Sequence, residues 1–305
     1  MNNISFSVPG KIHLIGEHTV VYGKPALLSA IDLRVSVSIK KSNQKRRISH
    51  DGQKVKTIIE HIIKQKFSLA ILPAYAVSIQ SQLPSGAGLG SSAAVSAAYS
   101  AALLDFLEIP WTKQLVNELA FEADKIFNGN PSGGDNATVV YGGMLQFQKG
   151  KEMENMNQST PHTFMLINSG KPDETTAEMV EKVAVFGKRY PDVFKKILQD
   201  QEILTTQMRA VLEEKKEDRL FEIMKMAQNN LDALGVVSEK ARLIMYSLNR
   251  LGIAAKISGA GGFRQGAGMI LCLAKDTDVL IQFAKTNNFE YKRISIGVQG
   301  LRKGL

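Results

Sequence analysis

A single cysteine, Cys272, stands in 305 residues, so no internal disulfide can form and a small cross-linked secreted module is excluded. Long apolar runs are also lacking. The longest weakly polar stretch, Ala93 to Leu104, is rich in Ala and Ser and falls short of the roughly 20 residues a membrane-spanning helix needs. The start MNNISFSVPGKIHL shows no basic region leading into an apolar stretch and a small-residue cleavage site, so no secretory signal is read there. These absences set the expectation of a cytoplasmic protein without a membrane partner. Aromatic residues are missing from the basic run KKSNQKRRISHDGQKVK (residues 40–56), which therefore reads as a solvated turn or a strand-to-helix connection and not as a nucleic-acid patch.

What is present is an ordinary globular composition, 44% apolar and 22% charged, in a chain long enough for two domains. An excess of 38 basic over 29 acidic residues, +9, suits anionic ligands such as nucleotides. Alternating apolar residues predict several strands in the first 40 positions and another from Tyr75. A glycine-rich turn then runs into a long small-residue helix, a second helix spans Lys113 to Asn128, and a loop from Gly129 leads to the strand MLQFQ. The polar segment Lys149 to Thr160 reads as a linker. Beyond it come the strand FMLINSG, amphipathic helices between about Thr175 and Leu248, and a second glycine turn between apolar stretches. The expected class is α/β (α+β), with domains over residues 1–155 and 156–305.

The junction Leu83–Ala94, LPSGAGLGSSAA, is the most informative local feature. Gly86, Gly88 and Gly90 lack Cβ atoms, so successive backbone N–H groups can approach an anion, and the following helix turns its positive end to the same place. Ser91 and Ser92 sit at that helix start, as caps or as a reach toward a phosphate-bound Mg²⁺. Each Gly-Lys pair lacks a following Ser or Thr, which excludes a Walker loop, and the glycine spacing is wrong for a dinucleotide fingerprint. No kinase H-R-D or D-F-G, hydrolase elbow or H-E-x-x-H zinc helix occurs.

Phosphoryl transfer needs a phosphate cradle, oxygen ligands for Mg²⁺, a cation against the moving group and a base for the attacking hydroxyl. Lys11, after Pro9-Gly10, is a candidate cation, and Asp135, in the loop after Ser132-Gly133-Gly134, a candidate base, although an aspartate in such a loop is also an ordinary turn former. Asp124, and less so Glu122, could face Ser92 across a metal. Glu17 and His18 lie close to the same strand end, where they could orient Lys11, touch substrate or simply be buried. Gly259, Gly261 and Gly262 permit close backbone approach, as a hairpin turn also would.

Taken together, these segments resemble the GHMP kinases, the superfamily of galactokinase, homoserine kinase, mevalonate kinase and phosphomevalonate kinase. PGKIHLIGEHTVVYGKPAL (residues 9–27), LPSGAGLGSSAA (83–94), GNPSGGDNATVVYGG (129–143) and KISGAGGFRQGAG (256–268) are similar, in order and spacing, to the motifs of the mevalonate kinase branch. Galactokinases usually read GEHTDYN where this chain has GEHTVVYG. The resemblance implies an N-terminal domain like domain 2 of ribosomal protein S5, a ferredoxin-like C-terminal domain and a cleft between them. It implies ATP as co-substrate, Mg²⁺ as cofactor, mevalonate phosphorylated on its C5 hydroxyl, and a homodimer as the common assembly.

Position by position, it assigns catalysis to Asp135 and Lys11. ATP binding falls to Pro84, Gly86, Ala87, Gly88, Leu89, Gly90, Ser91, Ser92, Gly259, Ala260 and Gly261. The metal falls to Ser92 and to Asp124, which stands where the family usually has glutamate. Substrate contact falls to Glu17, His18, Thr175 and Thr176. Phe263 and Arg264 interrupt the glycines of the third motif, and Asp173 or Glu174 stands where a basic residue is often found. The competing readings are a sister kinase for another small alcohol, and, from another class, a nonenzymatic RNA-binding protein.

Overall fold

The computed structural model describes residues 3–42, 48–84, 86–128, 131–156, 163–214 and 217–304. Strands β1 (Ile4–Ile15) and β2 (Ala26–Lys41) pair antiparallel along most of their length, with a 3₁₀ turn at Thr19–Tyr22 between them. After helix α1 (His50–Lys66), strand β3 (Tyr75–Ser81) adds to the far half of β2. Helices α2 (Ser91–Phe106), α3 (Lys113–Asn128) and α4 (Gly134–Tyr141) follow, then β4 (Met144–Phe147) on the near half of β2 and the short β5 (Glu154–Asn155).

The basic run after β2 is thus a strand-to-helix connection. Ser49 caps α1 by accepting from the Gly52 N–H, while residues 43–47 of the run lie outside the described set. The sequence alternation of β1 suggests one wet face, yet from Ser5 onward every residue of the strand is buried. Helices α2 and α4 and a helix from the second half all pack on it. The small side chains of α2 let the middle of that helix sit inside the protein, where Ala94, Ala97, Ala98, Ala101 and Ala102 are fully buried.

The second half begins with β6 (Phe164–Asn168), followed by α5 (Thr176–Arg189), α6 (Pro191–Glu214), α7 (Glu217–Ala233), α8 (Glu239–Arg250), β7 (Ala254–Ile257), β8 (Met269–Leu273), α9 (Thr277–Thr286) and β9 (Tyr291–Ile294). Its sheet runs β7-β8-β6-β9, all antiparallel, which is the ferredoxin-like strand order with additional helices between β6 and β7. Alternate residues of β6 and β8 serve two cores. Phe164, Leu166, Leu271 and Leu273 join the cluster that also holds Phe6, Ile12 and Leu27 of the first sheet, while Met165, Ile167, Ile270 and Cys272 face the cluster with α5 and α8. Both faces are covered, which is why these strands read as unbroken apolar runs.

The change of sheet falls between β5 and β6; residues 157–160 of the expected linker, with 161–162 beyond it, lie outside the described set. The division is not a clean cut in sequence. A last strand, β10 (Arg302–Lys303), returns to pair with Phe6 and Ser7 at the edge of the first sheet, and one apolar core spans the two halves.

Candidate active site

The end of β1 builds the floor of the site. Register with β2 shifts between Pro9 and Gly10 and again between His13 and Ile15, irregularities of the kind that re-aim side chains. Lys11 and His13, two apart on the strand, are both nearly buried and both line a cavity of about 460 Å³. The Lys11 N–H donates to Leu89 O at 3.0 Å, which ties the strand to the first glycine loop. Gly90, with φ +71°, caps α2 directly above it. A Cβ there would stand 2.7 Å from Lys11 Cγ, so only glycine lets the loop cross the lysine.

Asp135 comes in from α4. The expectation placed it in a loop; it lies in the first turn of the helix, because Gly133 at φ +90° lets the chain start the helix one residue earlier. The α4 turn is fixed by Asn136, whose amide donates to Asn117 Oδ1 at 2.7 Å, and by Thr138, whose hydroxyl donates to Gly134 O at 2.7 Å. A negative charge in a first helical turn faces the positive end of the helix dipole. Its Oδ2 lies 3.0 Å from Lys11 Nζ, and the Lys11 side chain is 3% exposed against 34% for Asp135. The cation is sunk in the floor and the carboxylate opens to the cavity.

The second glycine turn is a hairpin between β7 and β8, and it interlocks with the first. Gly88, at φ +81°, passes so close that a Cβ would stand 2.5 Å from Ser258 O. The Ser258 hydroxyl accepts from the His13 N–H at 3.0 Å. Lys256 reaches Glu17 in an ion pair from which solvent is excluded, and it also donates to Ile257 O at 2.8 Å and His13 O at 3.4 Å. Burial pulls the Lys256 pKa below its ordinary value, opposed by Glu17. His18 holds a positive φ of 61° and donates from Nε2 to Ala260 O at 2.9 Å; burial lowers its pKa to about 4 against the pull of that bond. Its ring is neutral at neutral pH.

Gly86 to Ser92, Gly259, Ala260, Gly261, Glu17, His18, Thr176, Asp124, Asp135 and Lys11 are all brought to this cavity, with Ser85 outside the described residues. Pro84 and Thr175 do not line it. Thr175 instead caps α5 in a reciprocal box, accepting from the Glu178 N–H at 3.2 Å while Glu178 Oε2 takes the Thr175 N–H at 2.7 Å. Phe263 and Arg264 also lie away from the cavity, Phe263 beneath Lys182 and Arg264 donating its N–H to Glu174 Oε1 at 3.0 Å.

Residues given no site role from the sequence complete the walls: His13, Ser258, and an apolar side made by Val20, Val21, Ala177 and Val180, together with buried Glu174, one of the two acids noted where a basic residue is often found. The available signal for His13 was its position two residues from Lys11 on one strand. Ser92, exposed in the first turn of α2, and nearly buried Asp124, on α3, are hard-oxygen donors on the same cavity. Among the described residues no three His, Cys, Asp or Glu gather as a metal cage. Two hard-oxygen donors of this kind suit Mg²⁺, which is ordinarily held by only one or two protein oxygens.

Two glycine loops, a helix N-terminus and a lysine–aspartate pair on this arrangement of sheets define a small-molecule kinase of the GHMP type. The profile described as "GHMP kinases N terminal domain" matches residues 53–143, and that described as "Galactokinase galactose-binding signature" matches residues 2–41. Mevalonate kinase of Archaeoglobus fulgidus is 35% identical over 261 residues, covering 84% of this chain and 88% of that protein. Mevalonate kinase of Pyrococcus abyssi is 32% identical, covering 84% and 85%. The crystal structure of L. major mevalonate kinase in complex with R-mevalonate superposes with a TM-score of 0.82 at 20% identity over 96% of each chain. The chain belongs to the mevalonate kinase family.

Proposed function

We propose that this protein phosphorylates the C5 hydroxyl of (R)-mevalonate with Mg·ATP, in the mevalonate pathway of isoprenoid synthesis, at the cleft between units 1–155 and 156–305. The observation that carries the reading is the 3.0 Å contact between Lys11 Nζ and Asp135 Oδ2 at the cavity floor, beside the N-termini of α2 and α4. Asp135 accepts the hydroxyl proton as that oxygen attacks the γ-phosphorus. The bond from phosphorus to the β,γ-bridging oxygen breaks, and its electron pair leaves with ADP. Lys11 pairs with the carboxylate and offers its charge to the phosphoryl oxygens in flight. The loop over Gly86, Ala87, Gly88, Leu89, Gly90, Ser91 and Ser92, with Gly259, Ala260 and Gly261 across from it, gives backbone N–H groups to the nucleotide phosphates. Ser92 and Asp124 would hold Mg²⁺, which supplies neutralising charge for the triphosphate.

The cavity wall supports this substrate over its neighbours. Val20, Val21, Ala177 and Val180 form an apolar face suited to the methyl-bearing carbon of mevalonate, where a sugar would present hydroxyls. Among the described lining residues Lys11 is the only Lys or Arg, so a substrate that already carries a phosphate would find no second cation to receive it. Release of ADP is to be measured with mevalonate, phosphomevalonate, galactose and homoserine, the product being read by mass spectrometry. Mevalonate 5-phosphate alone is expected; turnover on another alcohol would move the error to the apolar wall, and silence on all four would overturn the assignment.

A further inference from the structure

The ammonium of Lys11 has three N–H donors, and two are accounted for: Asp135 Oδ2 at 3.0 Å and His13 Nδ1 at 3.1 Å. His13 is itself clamped. Its N–H donates to Ser258 Oγ at 3.0 Å, its carbonyl accepts from Lys256 Nζ at 3.4 Å, and its side chain is buried at the cavity floor. We infer that His13 is a positioning residue for the phosphoryl transfer, its ring nitrogen holding the Lys11 ammonium between itself and Asp135. This deepens the proposed kinase reading and rests on it for the roles of Lys11 and Asp135.

The argument is one of geometry and charge. A buried lysine with one acidic neighbour swings fully onto that carboxylate, which then has less lone-pair capacity for the substrate's proton. A second acceptor fixes the nitrogen, divides its hydrogen bonds and leaves the third donor for the phosphoryl oxygens. Neutral imidazole can do this because Nδ1 carries a lone pair when the proton is on Nε2. A second carboxylate would do it only by adding negative charge beside the triphosphate.

The charged and titratable groups around the ring are Lys11 on its own strand, Asp135 from α4 through that lysine, Lys256 from β7 with its partner Glu17, and His18. A protonated ring would set a third positive charge against Lys11 and Lys256 and lose the acceptor. Burial first, then Lys11, Lys256 and His18, hold the His13 pKa well below 6.5, so the acceptor form persists at neutral pH.

The test pairs His13→Leu with His13→Gln, whose side-chain oxygen accepts a hydrogen bond but does not titrate. His13→Leu is expected to lower kcat by about tenfold or more with the KM for ATP changed less than about twofold, and His13→Gln to recover most of that loss. A kcat for His13→Leu within about twofold of the parent, or equal losses in both variants, overturns the inference. Nitrogen-15 NMR of the parent protein decides it even where a variant fails to fold. The His13 ring must show a hydrogen-bonded, unprotonated Nδ1 and a protonated Nε2 between about pH 5.5 and 8, and a protonated Nδ1 overturns the inference. Near-normal turnover in an Asp135→Ala control would sink the kinase assignment of the base without altering that ring assignment, so the two failures are distinguishable.

Discussion

Glu17 and Lys256 form an ion pair closed to water, joining the turn after β1 to the first strand of the β7–β8 hairpin. One carboxylate oxygen, Glu17 Oε2, has no hydrogen-bond partner among the described residues. Glu17→Ala leaves a buried ammonium without its counter-charge, and a loss of about 3–5 kcal/mol in unfolding free energy is expected. Denaturant titration measures it. The double substitution Glu17→Leu with Lys256→Met should be less damaging than Glu17→Ala, because neither buried charge then remains.

Asp135→Ala should reduce turnover by at least about 10² to 10³, the loss typical of one well-placed charged or hydrogen-bonding group in a transition state, while nucleotide affinity stays close to the parent value. Single-turnover kinetics beside a direct ATP-binding titration separates the two. Loss of binding in parallel with turnover would place Asp135 in the nucleotide site and not at the hydroxyl.

Gly90→Ala tests the crossing of loop and lysine. A methyl group 2.7 Å from Lys11 Cγ must displace either the side chain or the α2 cap. Turnover is expected to fall by on the order of tenfold or more, since small misplacements of a catalytic group carry such costs. Gly23→Ala serves as the control: it also has a positive φ, but nothing lies within 4 Å of its Cβ position.

The metal assignment predicts a shift in Mg²⁺ dependence. Asp124→Asn is expected to raise the Mg²⁺ concentration for half-maximal rate about tenfold or more at fixed ATP, and Asp124→Glu to stay near the parent. An unchanged Mg²⁺ curve in Asp124→Asn would remove this residue from the metal.

Acid should weaken the fold through His18. Its folded pKa of about 4 lies below the ordinary 6.5, so between those values the unfolded chain binds more protons. Stability is fully present above about pH 6.5 and falls as pH drops toward 4, by on the order of 3 kcal/mol across that window. His13 acts with the same sign. Unfolding midpoints followed from pH 7 to about 4 should fall less steeply in His18→Asn, which keeps a side chain tolerant of positive φ.

Much of this site was legible in the sequence because its chemistry is local. Gly86, Gly88 and Gly90 before Ser91 and Ser92 announce a loop and a helix start within a few positions, and Asp135 follows its own pair of glycines. The strand MILCL and the helix from Lys113 are equally local patterns. What escaped were contacts made through space. His13 read as one more residue of an alternating strand, and nothing near it in sequence shows that Lys11 turns toward it at a register shift. Lys256 read as the lead-in to a glycine turn, since its partner Glu17 lies in another part of the chain. The resemblance points Thr175 toward substrate, and the local S/T-x-x-E rule, applied to Thr175 and Glu178, describes the cap it makes. The two-residue β10 is too short to leave a pattern at all.

That short strand bears on how the protein is made. The edge of the first sheet beside Phe6 is closed only when Arg302 and Lys303 arrive, and the core around Phe6 and Ile12 is finished by Phe164, Leu166 and Leu271. During synthesis the N-terminal sheet therefore waits, with an open edge and a partly wet apolar face, for a segment that follows it by almost 300 residues. Folding tied to such distant contacts is slow, so the first sheet stays exposed until the second half of the chain has emerged.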